Sequence, residues 1–233
     1  MSTSRITNAA PSGASRTGDE LLMAVIHDVR GYLRTSVSRA QIIERESKTP
    51  VAPHLRPHLE EILAAGREMD LLLSRLAQYA SADPGQENQP FGDIGVMFDS
   101  ALRRLTHRTK DAEIDSRSIL NCGIQVPYPT EAILRELLDN ALKFRQGPVK
   151  ITVLLERSGE NALFGIRDTG IGFDPQYGEK IMLPLERLHP ANLYGGCGMG
   201  LAICQRTLEA LGGKLWAESK PHGGSTFWFS LAV

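Results

Sequence analysis

The sequence predicts two blocks of different class: a helical hairpin over residues 19–82 and an α+β two-layer sandwich over residues 91–233. Three observations carry this. Apolar residues recur at spacings of three and four in two runs separated by a proline-rich break. From Phe91 onward, short β-rich segments mix with helical ones. Those β-rich segments pair through short glycine-containing turns instead of strict βαβ alternation.

The first run covers 20–48, with Leu22, Val25, Val29, Leu33, Ala40 and Ile43 on one stripe and Asp19 as an expected cap. KTPVAPHLRP (48–57) holds three prolines, which break an uninterrupted helix. The second run starts near His58 and carries Leu59, Ile62, Leu63, Met69, Leu72, Leu73, Leu76 and Tyr79. Two helices with a short connection make an antiparallel hairpin. One hairpin buries two apolar stripes poorly, and pairing with a second copy into a four-helix bundle solves this. The alternative is that both helices pack on the C-terminal block. SADPGQENQP closes the hairpin, with 83–90 as a linker, and residues 1–18 are small, polar and expected to be a flexible tail.

In the second block, 94–107 is expected to be helical, 119–126 (ILNCGIQV) a strand and 130–145 a helix. Segments 149–157 and 162–168 read as a strand pair, 198–213 as a helix ended by glycines, and 214–219 and 225–233 as a final pair.

Composition narrows the function classes. The 233 residues are 42% hydrophobic and 23% charged, with a net charge of −1, as in ordinary globular proteins. That balance gives no general attraction to nucleic acid or to an anionic membrane, so a charged ligand needs a local site. Cys122, Cys197 and Cys204 lack CxxC spacing, which argues against a structural zinc or a disulfide framework. No apolar run is long enough to span a bilayer, and the N-terminus lacks a hydrophobic signal core. A soluble, cytoplasmic chain is the expectation.

Four stretches carry chemistry. In ELLDNALKF (136–144), Glu136, Asn140 and Lys143 share one helix face. A carboxylate, a carboxamide and an ammonium together suit magnesium and phosphate, although a solvated polar face looks the same. In RDTGIGFDP (167–175), Asp168 closes a strand where a carboxylate can accept from an exocyclic amine such as that of adenine. Gly170 and Gly172 there allow a tight turn and close approach of a ligand. In GGCGMGLAIC (195–204), Gly195, Gly196, Gly198 and Gly200 lead into a helix whose free N–H groups favour phosphate. In HGGSTFWF (222–229), Thr226 enters the last strand.

In this order and over these distances, the four stretches resemble the ATP-binding domain of the sensor histidine kinases. That fold is shared with gyrase and the heat-shock ATPase chaperones. The match covers about residues 90–233, and the upstream hairpin with HDVRGYLR resembles the family's dimerisation and phosphoacceptor domain. HD followed by Arg, and LERLH downstream, are similar to the phytochrome-like subgroup. The resemblance implies ATP and Mg²⁺ as cofactors. It makes Asn140 a magnesium ligand, Glu136 its outer-sphere helper and Lys143 a phosphate contact. Asp168 would read the adenine amine, with Thr226 supporting it through water. Gly170 and Gly172 would floor the base pocket; Gly196, Gly198 and Gly200 would hem the phosphates; residues 174–195 would be a mobile lid.

The resemblance also marks His27 as the phosphoacceptor. At about 100° per residue, His27 points nearly opposite the predicted apolar stripe and is expected to be exposed. Its reaction needs one imidazole nitrogen free to attack and the other held by an acceptor. Asp28 resembles the family's acidic neighbour, and Arg30 and Arg34 lie within reach of the same side. His54, His58, His107, His189 and His222 are expected at the surface or, for His189, in the lid. The implied activity is ATP-dependent phosphorylation of His27, followed by transfer to an aspartate of a response-regulator receiver domain. The implied partners are a second copy in a homodimer, a receiver domain, and a sensor that is a separate protein or a further domain. No nucleic acid or membrane partner is expected.

Two departures from the family pattern stand out. Tyr32 occupies the place of a usual proline, next to Gly31, and Met182 and Leu185 replace two phenylalanines of the lid. A phosphotransfer scaffold or a mainly phosphatase relative is the alternative reading. A serine kinase or simple ATPase of the same fold is a third, disfavoured by the hairpin with His27 and Asp28.

Overall fold

The computed structural model describes residues 13–46, 51–82, 89–190 and 193–233. The chain divides into two compact units, Met1–Ser81 and Ala82–Val233. The first is a helical hairpin of α1 (Gly13–Glu46) and α2 (Arg56–Ser81). The helix begins earlier than the sequence suggested: residues 13–18 are helical, and Asp19 lies inside α1 instead of capping it. No proline follows position 11 before the hairpin turn, and Ala14 and Arg16 are good helix formers, so nothing stops the helix at Asp19. The rest of the expected tail and most of the expected linker lie outside the described residues.

The hairpin seam is rotated from the expected stripe. Ile26 and Ala40 are buried, with Leu22, Leu33 and Val37 half-buried beside them, against Leu63, Gly66, Leu73 and Ala80 of α2. Gly66 permits the close approach: a Cβ there would lie 2.4 Å from Val37 Cγ2. Val25, Val29 and Ile43 on α1 and Ile62 and Met69 on α2 stay exposed along the flank of the seam. Each helix therefore carries an apolar face wider than its single neighbour covers.

The second unit is a five-stranded sheet with three helices on one face. In chain order it contains β1 (Phe91–Asp93), α3 (Ile94–Arg103), β2 (Ala112–Asp115), β3 (Gln125–Pro127) and α4 (Thr130–Lys143). It continues with β4 (Val149–Ser158), β5 (Asn161–Asp168), α5 (Gly200–Ala210), β6 (Lys214–Ser219) and β7 (Ser225–Ala232). The sheet order is β2-β4-β5-β7-β6; β2 and β4 run parallel and the other pairs antiparallel. β1 and β3 form a separate two-stranded ribbon. Phe98, Leu137, Leu138, Ile151, Phe164, Ile166 and Phe229 fill the layer between sheet and helices.

The expected strand over 119–126 is a correction. Asn121 (φ 58°) and Gly123 (φ 69°) adopt left-handed conformations that interrupt any strand, leaving only Gln125–Pro127 extended. Ile119 and Ile124 are buried from a loop instead. The register aligns one polar row at an end of the sheet: Asp168 opposes Ser225, which opposes Ser219.

Candidate active site

α4 buries Ile133, Leu134, Leu137, Leu138 and Ala141 in the core. The same periodicity brings Glu136, Asn140 and Lys143 to one side. Glu136 is buried and its Oε1 lies 3.5 Å from Arg135; Asn140 and Lys143 are half-buried. The glycine-rich segment runs along this face over two turns. A Cβ on Gly200 would lie 2.7 Å from Glu136 Oε2, and one on Gly196 would lie 2.9 Å from Lys143 Nζ. A Cβ on Gly198 would meet the backbone of residues 185 and 186. The structure thus brings Glu136, Lys143, Gly196 and Gly200 together, with Gly198 against the expected lid. Gly195 has nothing near its missing Cβ.

Lys143 is held in a demanding environment. Burial lowers its ammonium pKa from the ordinary value, Arg187 and Arg108 push the same way, and Asp139 opposes them. Its Nζ also lies 4.5 Å from the centre of the Phe144 ring. A partly desolvated cation beside other cations gains from an arriving anion.

The other end of the site is built on β5. Asp168 is buried, and Gly170 N donates to its Oδ1 at 2.7 Å. Burial pushes its carboxyl up to about 6, against the backbone N–H groups of Gly170 and Ser225. Gly170 and Gly172 are tightly enclosed: a Cβ on Gly170 would lie 2.3 Å from Phe144 O, and one on Gly172 2.0 Å from Lys220 O. Gly172 also has φ +61°.

Thr226 is a correction. Its partner across the strands is Arg167, and Arg167 Nε donates to its Oγ1 at 3.3 Å. Side chains alternate along a strand, so Thr226 and Asp168 point to opposite faces of the sheet. Ser225 is the hydroxyl that shares a face with Asp168, and its Oγ lies 3.0 Å from Ser219 Oγ. The inward parity of Phe227, Phe229 and Leu231 with Ser225 was the available signal in the sequence. Arg187, inside LERLH, was not singled out as a site residue: its guanidinium donates to Tyr194 O and Gly196 O, both at 2.6 Å.

Within the expected lid, two short 3₁₀ turns span Pro175–Tyr177 and Lys180–Met182, and Met182 is buried in the core. Among the described residues no His, Cys, Asp or Glu trio forms a metal cluster. A divalent cation at Asn140 would therefore take its remaining ligands from phosphate and water, a mode that suits magnesium.

In the hairpin, the His27 side chain is 89% exposed, and its Nδ1 lies 3.2 Å from Asp28 Oδ1. Arg30 does not face the same space as His27. Its guanidinium pairs with Asp70 at 3.2 Å and donates to Ser74 Oγ at 3.0 Å, clasping α1 to α2. Among the described residues no helix is long and apolar enough to cross a membrane.

Residues 126–233 match the family of histidine kinase-, DNA gyrase B- and HSP90-like ATPases. Across 89% of its length the chain is 30% identical to the phytochrome-like protein Cph1 of Synechocystis sp., of which it spans 28%. It is 26% identical over 92% of its length to the adaptive-response sensory kinase SasA of Trichormus variabilis, of which it spans 57%. Among solved structures, full-length ShkA in complex with AMPPNP matches 91% of this chain and 45% of its own, with TM-score 0.68 and 22% identity. Residues 126–233 thus carry a histidine kinase-, DNA gyrase B- and HSP90-like ATPase domain, and over most of its length the chain is similar to sensor histidine kinases. It spans about a quarter to just over half of these relatives' lengths.

Proposed function

We propose that the chain is an ATP-dependent protein histidine kinase that phosphorylates His27 and passes the phosphoryl group to an aspartate of a receiver domain. The observation that carries this is the convergence of Glu136, Lys143, Gly196 and Gly200 along α4, with Asp168 behind the Gly170–Gly172 turn that packs on Phe144 at the end of that helix. That arrangement fits a nucleotide lying with its base at Asp168 and its phosphates along α4. The similar ShkA structure is a complex with AMPPNP, which supports the same reading.

In this reading Asp168 accepts from the adenine amine, and Ser225 replaces Thr226 as the supporting hydroxyl. Asn140 would hold magnesium, with Glu136 behind it, and the metal would offset phosphate charge; Lys143 contacts phosphate. Gly196, Gly198 and Gly200 let backbone approach the phosphates. With Nδ1–H donated to Asp28, the Nε2 lone pair of His27 attacks the γ-phosphorus. The bond to the β–γ bridging oxygen breaks, and ADP leaves. The exposed Val25, Val29, Ile43, Ile62 and Met69 support a second copy completing a four-helix bundle.

Incubation with γ-labelled ATP and magnesium tests this. The expected product is an acid-labile, base-stable phosphoprotein, and His27→Ala abolishes it. Undiminished labelling of that variant refutes the assignment. Failure of the unaltered chain to bind ATP favours the scaffold reading.

A further inference from the structure

We infer that Ser219 sets which purine the base end accepts, by taking the hydroxyl proton of Ser225 so that Ser225 offers only lone pairs to a ligand. This role rests on the kinase reading and deepens its base end. Ser219 closes β6, and the strand register sets it opposite Ser225, which lies opposite Asp168. Residues directly opposed in antiparallel strands share a face, so these side chains form one row. Ser225 is buried and Ser219 half-buried.

Ser219 Oγ has three partners: Phe173 N at 2.8 Å, Gly224 O at 3.0 Å and Ser225 Oγ at 3.0 Å. A hydroxyl has one proton to give and two lone pairs to accept with. The N–H of Phe173 can only donate, and the carbonyl of Gly224 can only accept. For all the contacts to be hydrogen bonds, the Ser219 proton goes to Gly224 O, one lone pair accepts from Phe173 N, and the other accepts from the Ser225 hydroxyl. Ser225 Oγ is then left with lone pairs alone, and an ionised Asp168 beside it also only accepts. A 6-aminopurine brings N–H groups to these acceptors. A 6-oxopurine brings an oxygen, whose lone pairs meet lone pairs with no proton between them. Without the Ser219 hydroxyl, the Ser225 proton is free to turn to the ligand, and a 6-oxo group gains a donor. Ser219 acts through Ser225 and is a positioning residue.

The test titrates ADP and IDP into the full chain by calorimetry at about pH 8, where Asp168 is ionised. The two nucleotides share ribose and phosphates and differ at the 6-position edge of the purine. Ser219→Ala is expected to narrow the preference for ADP over IDP about fivefold, the scale of one hydrogen bond gained by IDP. Ser219→Thr keeps the hydroxyl and keeps the preference. Ser219→Cys fills similar space with a weaker acceptor, narrows the preference in the same direction, and carries the test if the alanine variant does not fold. In a Ser225→Ala background, Ser219→Ala leaves the preference where Ser225→Ala puts it. The role of Ser219 is overturned if its alanine and cysteine variants weaken both nucleotides by one factor, as a loosened turn does, or leave both unchanged. It is overturned too if Ser219→Thr narrows the preference as far as alanine, or if Ser219→Ala still narrows it without the Ser225 hydroxyl. An unaltered chain that binds neither nucleotide overturns the kinase reading and the role of Ser219 with it. ADP binding and His27 labelling, with an ADP-to-IDP ratio that Ser219→Ala does not move, overturn the role of Ser219 alone.

Discussion

Asp168 offers the sharpest quantitative test, because its burial sets both stability and ligand binding. Its carboxyl titrates at about 6 instead of 3.8, chiefly through burial. A difference of about two units corresponds to about 3 kcal/mol at 1.36 kcal/mol per unit. The folded pKa is raised, so this stability is present in full below about pH 4 and is lost as pH rises through about 6. The perturbation is a pH series from 4 to 8 on the unaltered chain and on Asp168→Asn. Relative to the variant, the unaltered chain is expected to lose up to about 3 kcal/mol across that window, with no further change above about pH 7. Ligand affinity moves in the opposite sense. In the proposed reading an ionised Asp168 accepts from the adenine amine, and a protonated one would be a poorer acceptor. Adenosine, which carries no phosphate to titrate, should therefore bind about tenfold more weakly at pH 5 than at pH 7. Denaturant unfolding reads the stability, and titration calorimetry reads the affinity. A carboxyl that titrates near 4 by NMR, or an adenosine affinity that stays flat from pH 7 to 5, refutes the reasoning.

Four further outcomes follow from named contacts. Gly66→Ala puts a Cβ 2.4 Å from Val37 Cγ2 and should destabilise the hairpin by about 1–3 kcal/mol, read as a lower melting temperature of the first unit. Ser225→Ala should weaken adenosine binding, while Thr226→Ala leaves it nearly unchanged; equal losses would restore Thr226 to the base pocket. Gly200→Ala should depress autophosphorylation with little loss of stability, because it meets only the end of the Glu136 side chain at 2.7 Å. Gly172→Ala meets backbone at 2.0 Å with φ +61°, and should unfold the second unit at lower denaturant.

Periodic features were legible in the sequence, and features that depend on parity or distance were not. Glu136, Asn140 and Lys143 could be placed on one face because helical spacing is fixed by geometry. The β4–β5 and β6–β7 pairs were legible because long alternating runs flank glycine turns. β1 and β2, with three and four residues, are too short for alternation to show. The false strand at 119–126 has the apolar content of a strand, and only the left-handed Asn121 and Gly123 break it. Periodicity puts Val25 and Val29 in the seam because a helical wheel locates an apolar face without saying which part of it a neighbour covers. Ile26 takes that place, and the surplus apolar flank is itself the feature that supports a second copy. Phe144 lies too far in sequence from His189 and Tyr194 for any local pattern to join it to them.

The glycines explain why so much of the site was nevertheless visible. Their Cβ positions fall on polar groups of the site: Gly196 on Lys143, Gly200 on Glu136, and Gly170 on Asp168 Oδ1 at 2.7 Å. Gly224 likewise falls on the Asp168 carbonyl, at 2.0 Å. Glycine stands at each point because a side chain would occupy the space that a functional atom or the backbone holding it already fills. A glycine-rich stretch therefore reports close approach, and its order along the chain reports which elements meet. It does not report which neighbouring side chain faces the same way, and for that reason motif order alone selects Thr226 over Ser225. Strand register supplies the missing parity. In the proposed reading it sorts the motifs into a base end at Asp168 and Ser225 and a phosphate end at Lys143 and Gly196. These two ends answer to different perturbations, pH at the first and substitution of Gly200 at the second. Independent responses to the two would show that the nucleotide spans both.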